Sequence, residues 1–310
     1  MKDTVILVPV YNDWSSFKML VQQIQQLIPE RIMQIMVVND GSTQDPPDTF
    51  NSHIPIHILN LTHNLGHQKA IAIGLSYFYQ NLPAPKVLIM DADGNDQVTD
   101  AALLLSLGDK QPDVITMVKR VKRNETFSFR LIYFFYVSFF RIITGKNIRY
   151  GNFCLIPYEQ LSKIVYLNNL WLHLPATIVK SNIPFREMHA NKGYRFEGKS
   201  KMDVYRFFIH GLGAIAVFID VIAVRVLIAS GIAITTSLFA LLLVVIIKLT
   251  TSYAIPGWAS SVGSSLIIII LLSFLIGIFL IFIYLISQSS RKFIPALHYK
   301  DYLIKSSQPV

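Results

Sequence analysis

Apolar and polar positions along the first 118 residues switch repeatedly between two periods, and the switching predicts a layered α/β fold. Thr4 to Val8 is a β-branched run ended by Pro9, and Trp14 to Leu27 then repeats apolar residues at helical spacing. Met33 to Val38 is strand-like again, Ile54 to Leu59 gives another strand, and Gly66 to Tyr79 a helix. Lys86 to Met90, a helix near Val98 to Leu107, and Asp113 to Met117 extend the alternation. The expected fold is a Rossmann-like, mostly parallel sheet with helices on both faces, in which ligands sit beyond the carboxyl ends of the strands.

The pattern changes in the last third. No charged residue occurs from Val226 to Ile247 or from Leu249 to Ser290, and each run can cross a bilayer as a helix of about 20 residues. The intervening Thr250 to Ser261 holds turn residues with Tyr253 and Trp258, which suit a membrane interface. Transmembrane helices are expected at 226–248 and 265–287, with an extracytoplasmic hairpin at 249–264 and a tail at 288–310. Between the sheet region, 1–118, and the first span lies a region, 119–225, with two amphipathic stretches, about 125–144 and 202–225. Aromatic residues cover much of the circumference of the first, as expected of a helix lying among lipid headgroups, with a buried core helix as the plain alternative.

Charge orients these elements. Of the 310 residues, 1 to 116 carry 6 Lys/Arg against 12 Asp/Glu, 117 to 226 carry 17 against 6, and the remainder 5 against 1, for a net +9. The basic block precedes the first span, and Arg291, Lys292, Lys300 and Lys305 follow the second, so the positive-inside tendency puts the N-terminal domain and the tail on the cytoplasmic side of the inner membrane. Val5 to Val10 is too short for a secretory signal, and the single Cys154 excludes an internal disulfide. The basic residues interleave with membrane-facing aromatics, so membrane lipid rather than nucleic acid is the expected partner. The apolar span surfaces are compatible with a homo-oligomer.

Polar clusters fall where the fold puts ligands. Pro9-Val-Tyr-Asn-Asp13 follows the first strand, Asn39-Asp-Gly-Ser42 the second, His63-Asn-Leu-Gly66 the third and Asp91-Ala-Asp93 the fourth. Singly each is a plausible turn or helix entry; together they converge on one crevice. Alternation puts Asp91 and Asp93 on one side of an extended backbone, so that they can share a divalent cation that grips a diphosphate. Hard oxygen ligands favour Mg²⁺ or Mn²⁺. His63 and His67 are four apart but lack a third zinc ligand nearby. Neither G-x-G-x-x-G nor G-x-x-x-x-G-K-[ST] occurs, which argues against a dinucleotide dehydrogenase or a P-loop enzyme.

The strings Val8-Pro-Val-Tyr-Asn12, Val37-Val-Asn-Asp-Gly-Ser42, Asn64-Leu-Gly66 and Asp91-Ala-Asp93, in this order, resemble the family-two inverting glycosyltransferases of the GT-A fold. A narrower likeness is to the dolichol-phosphate mannose synthase and polyprenyl-phosphate glycosyltransferase group, with two C-terminal spans. That group carries an R-x-x-G-x-S-K string, here Arg195-Phe-Glu-Gly-Lys-Ser-Lys201, and a basic loop, here Lys119-Arg-Val-Lys-Arg123, before an amphipathic helix. Where the bacterial polyprenyl enzymes tend to read G-D-F-R-L, this chain has Gly151-Asn-Phe-Cys-Leu155 and lacks both the acid and the base.

The resemblance implies a metal-dependent, inverting hexosyltransferase with a nucleotide-sugar donor, UDP favoured, and polyprenyl (undecaprenyl) phosphate as acceptor. Donor binding is expected from Pro9, Tyr11, Asn12, Asp40, Asn64, Gly66, Lys69 and Asp91, with Asp40 on the nucleoside. Metal coordination falls to Asp93, with Asp91 and Asn95. Arg120, Arg123, Arg195, Ser200 and Lys201 are the candidates for the acceptor phosphate, Arg195, Ser200 and Lys201 alternatively for closing over the donor diphosphate, with lipid anchoring as their plainer role. An anionic phosphate needs positioning more than a general base, whereas a hydroxyl needs one, for which Asp96 is the nearest spare carboxylate. Two other readings stay open: a glycolipid or glycan hydroxyl as acceptor, and a non-catalytic membrane scaffold of the same fold.

Overall fold

The structure is a computed structural model that describes residues 2–120, 127–191, 193–197, 204–250, 257–289 and 293–304. Seven strands form one sheet: β1 (Thr4–Val10), β2 (Ile32–Asn39), β3 (Ile56–Asn60), β4 (Lys86–Ile89), β5 (Ile115–Arg120), β6 (Tyr150–Pro157) and β7 (Phe185–Ala190). Their order is β3-β2-β1-β4-β6-β5-β7, and only β6 runs antiparallel to its neighbours. Val5 and Leu7 of β1 enter the core on one face while Ile6, Val8 and Val10 enter the core on the other, so the strand is buried throughout.

Helices α1 (Trp14–Leu27) and α3 (Val98–Lys110) cover one face. In α1 the buried Phe17, Leu20, Val21 and Ile24 repeat at i, i+3, i+4 and i+7, the stripe a sheet-packed helix needs. The other face is covered by α2 (His67–Asn81), by α5 (Tyr158–Ile164) and α6 (Leu174–Lys180), and by α10 (Pro295–His298) beyond the apolar segment. The expected mostly parallel sheet with helices on both faces is found. It extends past residue 118, however: β6 is inserted between β4 and β5, and β7 closes the edge beyond β5.

The chain divides into two compact units. One comprises residues 1–141, 146–217 and 292–310, and the other 142–145 and 218–291. In the first, α4 (Phe127–Thr144) exposes Phe134, Phe135 and Phe139, and α7 (Val204–Val217) exposes Phe208, Ile209 and Leu212. The stretch read as one amphipathic segment over 202–225 breaks at Phe218, where α8 begins one residue on. The second unit is a hairpin of α8 (Ile219–Thr250) and α9 (Trp258–Ser289), each of 32 residues. At about 1.5 Å per residue, both exceed the roughly 30 Å of a bilayer's hydrocarbon core. Gly263 faces Leu241 and Gly277 faces Leu227, a register that fixes the two helices as antiparallel.

Candidate active site

Four strand ends supply the crevice. After β1, Asn12 adopts φ 48° and joins the turn that follows β2: its Oδ1 accepts from Thr43 N at 2.9 Å and Gln44 N at 3.1 Å, and its own N–H donates to Ser42 Oγ at 3.0 Å. Asn39 holds the same turn from inside, accepting from Ser42 N at 3.0 Å and donating to Asn60 Oδ1 at 2.8 Å. Gly41, at φ 64°, sits so close to the backbone of His63 and Asn64 that a Cβ there would lie 2.5 Å from Asn64 N, so only glycine fits. Tyr11 is half-exposed at the crevice and Asn64 is exposed.

Asp40, 3% exposed, spends both carboxylate oxygens on this neighbouring loop. Oδ1 accepts from Leu65 N at 2.7 Å and Oδ2 from Gly66 N at 3.0 Å. Burial raises its pKa, and the two backbone donors only partly offset that rise. Asp40 therefore fixes the entry to α2, the plain turn-clamping role for such a residue. Lys69, in the first turns of that helix, holds its ammonium 5.3 Å from the centroid of the Trp171 ring.

The carboxylates after β4 differ in environment. Asp91 Oδ1 is buried and pairs with His67, whose Nε2 lies 3.3 Å away. Burial alone would raise the Asp91 pKa, but the neighbouring His67 and Arg120 hold it low; burial alone would lower that of His67, and Asp91 holds it high. Asp93 accepts from Asn95 N at 3.0 Å and from Asn95 Nδ2 at 2.6 Å, and burial with repulsion from Asp91 raises its pKa. Asp96 is 2% exposed; its Oδ2 accepts from Asp91 N at 2.9 Å and its Oδ1 from Arg120 Nη2. Burial and Asp91 together raise the Asp96 pKa against the pull of Arg120. Such a carboxylate supports the Asp91 backbone. Arg120 thus pairs with Asp96 through one of its guanidinium nitrogens.

A strap, residues 193–197, crosses the Asp93–Asn95 turn. Gly193 N donates to Asn95 O at 2.9 Å and Phe196 N to Asp93 O at 3.0 Å. Gly94, at φ 85°, permits the approach, because a Cβ there would meet Tyr194 O at 2.9 Å. Arg195 spans the crevice mouth: Nη2 lies 2.9 Å from Asp13 Oδ2, Nη1 3.3 Å from Asp93 Oδ2, and Nε donates to Glu197 O at 2.7 Å. The guanidinium thus bridges the ends of β1 and β4, where the acidic groups otherwise face one another. Arg123, Ser200 and Lys201 lie outside the described residues.

Further polar residues, with no motif to mark them, join α2, β6, the start of α6 and α7. Gln68 donates to Asn152 Oδ1 at 2.9 Å and accepts from Leu174 N at 2.9 Å. His173 Nδ1 accepts from Ala176 N at 3.1 Å, so its Nε2 carries the proton and donates to His210 Nε2 at 3.1 Å. Burial keeps both rings neutral, His210 down to about 4. These side chains come from β6, α2, α7 and the start of α6, segments that no local pattern links.

Asp91 and Asp93 fit a hard divalent cation: both are oxygen donors at one strand end, and the buried Asp91 oxygen has the His67 ring as its ion-pair neighbour. Among the described residues no group of three or more His, Cys, Asp or Glu surrounds a common point, so the remaining ligands of such an ion would come from Asn95, water or the diphosphate.

The sequence profile described as Glycosyl transferase family 2 matches residues 5–164, the strands and turns that build this crevice. The chain belongs to glycosyltransferase family 2. Across longer stretches this family-2 glycosyltransferase is 22% identical to the uncharacterized glycosyltransferase YkcC of Bacillus subtilis, over 82% of this chain and 80% of that one. It is 23% identical to the uncharacterized glycosyltransferase sll0501 of Synechocystis, over 82% and 81%. Among solved structures, glucosyl-3-phosphoglycerate synthase from Mycobacterium tuberculosis, in complex with Mn²⁺, UDP and phosphoglyceric acid, superposes with a TM-score of 0.51 at 12% identity, over 71% of this chain and 78% of that one. Mannosyl-3-phosphoglycerate synthase from Rubrobacter xylanophilus gives 0.50 at 13% identity, over 69% and 72%. At such identities these structures establish the shared fold.

Proposed function

We propose that this family-2 glycosyltransferase is membrane-bound and transfers a sugar, with inversion, from a UDP-sugar to a polyprenyl phosphate on the cytoplasmic face. The observation that carries a lipid-borne acceptor is the pair of apolar helices, Ile219–Thr250 and Trp258–Ile286, each long enough to cross a bilayer. Asn152, hydrogen-bonded to Gln68, stands where the resembling enzymes carry an acid, and its neutral amide fits an acceptor that is already anionic. A hydroxyl acceptor needs its proton removed, whereas a phosphate arrives as an anion. The two apolar helices long enough to span a bilayer, and the exposed aromatic faces of α4 and α7, support a lipid-borne substrate. The UDP and Mn²⁺ in the mycobacterial synthase, which shares the fold, support the donor and cofactor classes.

In this reading Asp40 orients the loop that receives the nucleoside, with Pro9, Tyr11 and Asn12 opposite and Asn64 and Gly66 on the loop itself. Asp91 and Asp93, with Asn95, would hold Mg²⁺ or Mn²⁺, which when bound neutralises charge on the leaving diphosphate. A phosphate oxygen of the acceptor attacks the anomeric carbon from the face opposite the diphosphate. The new C–O bond forms as the old one breaks, and the electron pair of the old bond leaves with UDP. Arg195 is placed to exchange its carboxylate partners for diphosphate oxygens as the crevice fills. Lys69 adds positive potential, with Arg123, Ser200 and Lys201 on the acceptor side.

The test is UDP release by the purified protein with Mn²⁺ and a panel of UDP-sugars, with and without undecaprenyl phosphate. Release that rises only with the lipid phosphate supports both assignments. Release indifferent to it would redirect the search to a hydroxyl acceptor, and UDP binding without turnover to a scaffold.

A further inference from the structure

The segment that follows α9 belongs to the same compact unit as the sheet. The ring of Tyr299 is buried against α2; its hydroxyl donates to Gln80 Oε1 at 3.1 Å and accepts from Asn81 Nδ2 at 3.1 Å, and Gln80 Nε2 donates to Ala296 O at 2.6 Å. Beyond it, Leu303 makes an antiparallel bridge with Leu61, flanked by Thr62 N to Tyr302 O at 2.9 Å and Ile304 N to Asn60 O at 2.9 Å. The tail thereby covers the end of β3, an edge strand of the sheet.

More than edge cover is involved, because these bonds end on residues 60–62, where the loop that runs on to Gly66 begins. The opposite side of that loop is held by the turn after β2: Leu61 N donates to Asn39 O at 3.0 Å, Asn60 accepts from Asn39 Nδ2, and Asp40 takes the amides of Leu65 and Gly66. One loop is thus pinned between the donor-side turn and the tail. The Tyr302 ring packs 5.4 Å from Trp171, the residue under the Lys69 ammonium, and 6.4 Å from His63.

We propose that the tail, Phe293 to Ile304, is a working part of the donor site, a positioning element that holds loop 60–66 ready for a nucleoside diphosphate. This rests on the UDP-sugar reading above. A loop already ordered before the ligand arrives has less conformational freedom to lose on binding, so the tail contributes affinity without touching the nucleotide.

The experiment uses the full chain in detergent. Ile304→Pro removes the N–H that bonds Asn60, and Tyr302→Ala removes the ring while keeping the carbonyl. Two quantities are read: amide hydrogen exchange at Thr62, Leu65 and Gly66, and UDP affinity by calorimetry with Mn²⁺. The expected result is faster exchange at all three amides and a Kd for UDP raised about tenfold, roughly 1.4 kcal/mol, while Lys110→Ala, an exposed residue at the end of α3, changes neither. Unchanged exchange at Leu65 and Gly66 with a Kd within twofold of the parent would overturn the proposal and leave the tail as edge cover. If Ile304→Pro does not fold, Tyr302→Ala carries the same comparison. Failure of the unaltered protein to bind UDP at all would overturn the donor reading, and this inference with it.

Discussion

Asp93 and Asp96, three residues apart, sit in different surroundings: Asp93 is held by Asn95 and Arg195, whereas Asp96 is buried against Arg120 and the Asp91 amide. Replacing Asp93 by Ala should abolish turnover while the protein stays folded and membrane-bound; sugar transfer at the parental rate would remove the metal role. Asp96→Ala should act on stability, leaving Arg120 buried without its partner and the Asp91 amide without an acceptor. Breaking such a pair costs about 3 kcal/mol, to be read as a fall in the thermal midpoint. The paired histidines set an acid limit. His210, held down to about 4 in the fold, would titrate near its ordinary value of 6.5 when unfolded. Between those values the unfolded chain binds more protons, so the stability is present in full above about 6.5 and drains away as pH falls toward 4. His210→Asn should flatten that part of a stability–pH profile; an unchanged slope between pH 6.5 and 4 would show that other groups govern it.

At the scale of elements, most of the donor half is legible in the amino-acid order alone. The bounds of α1 are those its apolar spacing predicts, because a strong 3.6-residue stripe leaves a helix little choice of register. The strand ends carrying Asn12, Asp40, Asn64 and Asp91 are legible for a similar reason, since β-branched runs stop at turn-forming residues. β6 and β7 are not. Their place in the sheet is decided by long-range pairing with β4 and β5, which no local period encodes. The contacts of Asp96 with Arg120, Gln68 with Asn152 and His173 with His210 escape for the same reason. The strap shows how a motif finds its partner: Arg195 stands out in the sequence as a candidate, but only the fold reveals Asp13 and Asp93 around it. Gly94→Ala tests that element. Its positive φ and the contact with Tyr194 O should cost about 1–3 kcal/mol and loosen residues 193–197, detectable as faster amide exchange at Gly193 and Phe196. Unchanged exchange there would mean the strap does not depend on this approach.

For the whole molecule, the order of the chain and the order of the fold differ. The sheet unit is made of residues on both sides of the apolar hairpin, so cutting the chain before α8 removes α10 and strips the cover from Tyr77 and Gln80 on α2. A variant in which a flexible linker replaces residues 219–291 should fold as a soluble monomer with a higher thermal midpoint than one ending at Val217. Equal midpoints would show that the tail adds nothing to the stability of the sheet unit. The charge distribution belongs to this scale as well. With 17 of its 28 basic residues in 117–226, the protein should bind vesicles containing anionic lipid more tightly than neutral ones, by a margin that shrinks as salt is added.

The guanidinium of Arg195 lies between Asp13 and Asp93, and its position bears on the order in which ligands enter. A bare cation has to evict a partner that Asp93 already owns, and it leaves Arg195 with one anion fewer. A cation arriving together with a nucleoside diphosphate offers both sides something, since Asp93 takes the ion and the arginine takes the phosphates. The resting enzyme should therefore be nearly blind to Mn²⁺ alone and respond to the Mn²⁺–UDP pair as a single ligand. Arg195→Ala should erase that preference, and titrations of Mn²⁺ with and without UDP would show whether this arginine enforces the sequence of binding.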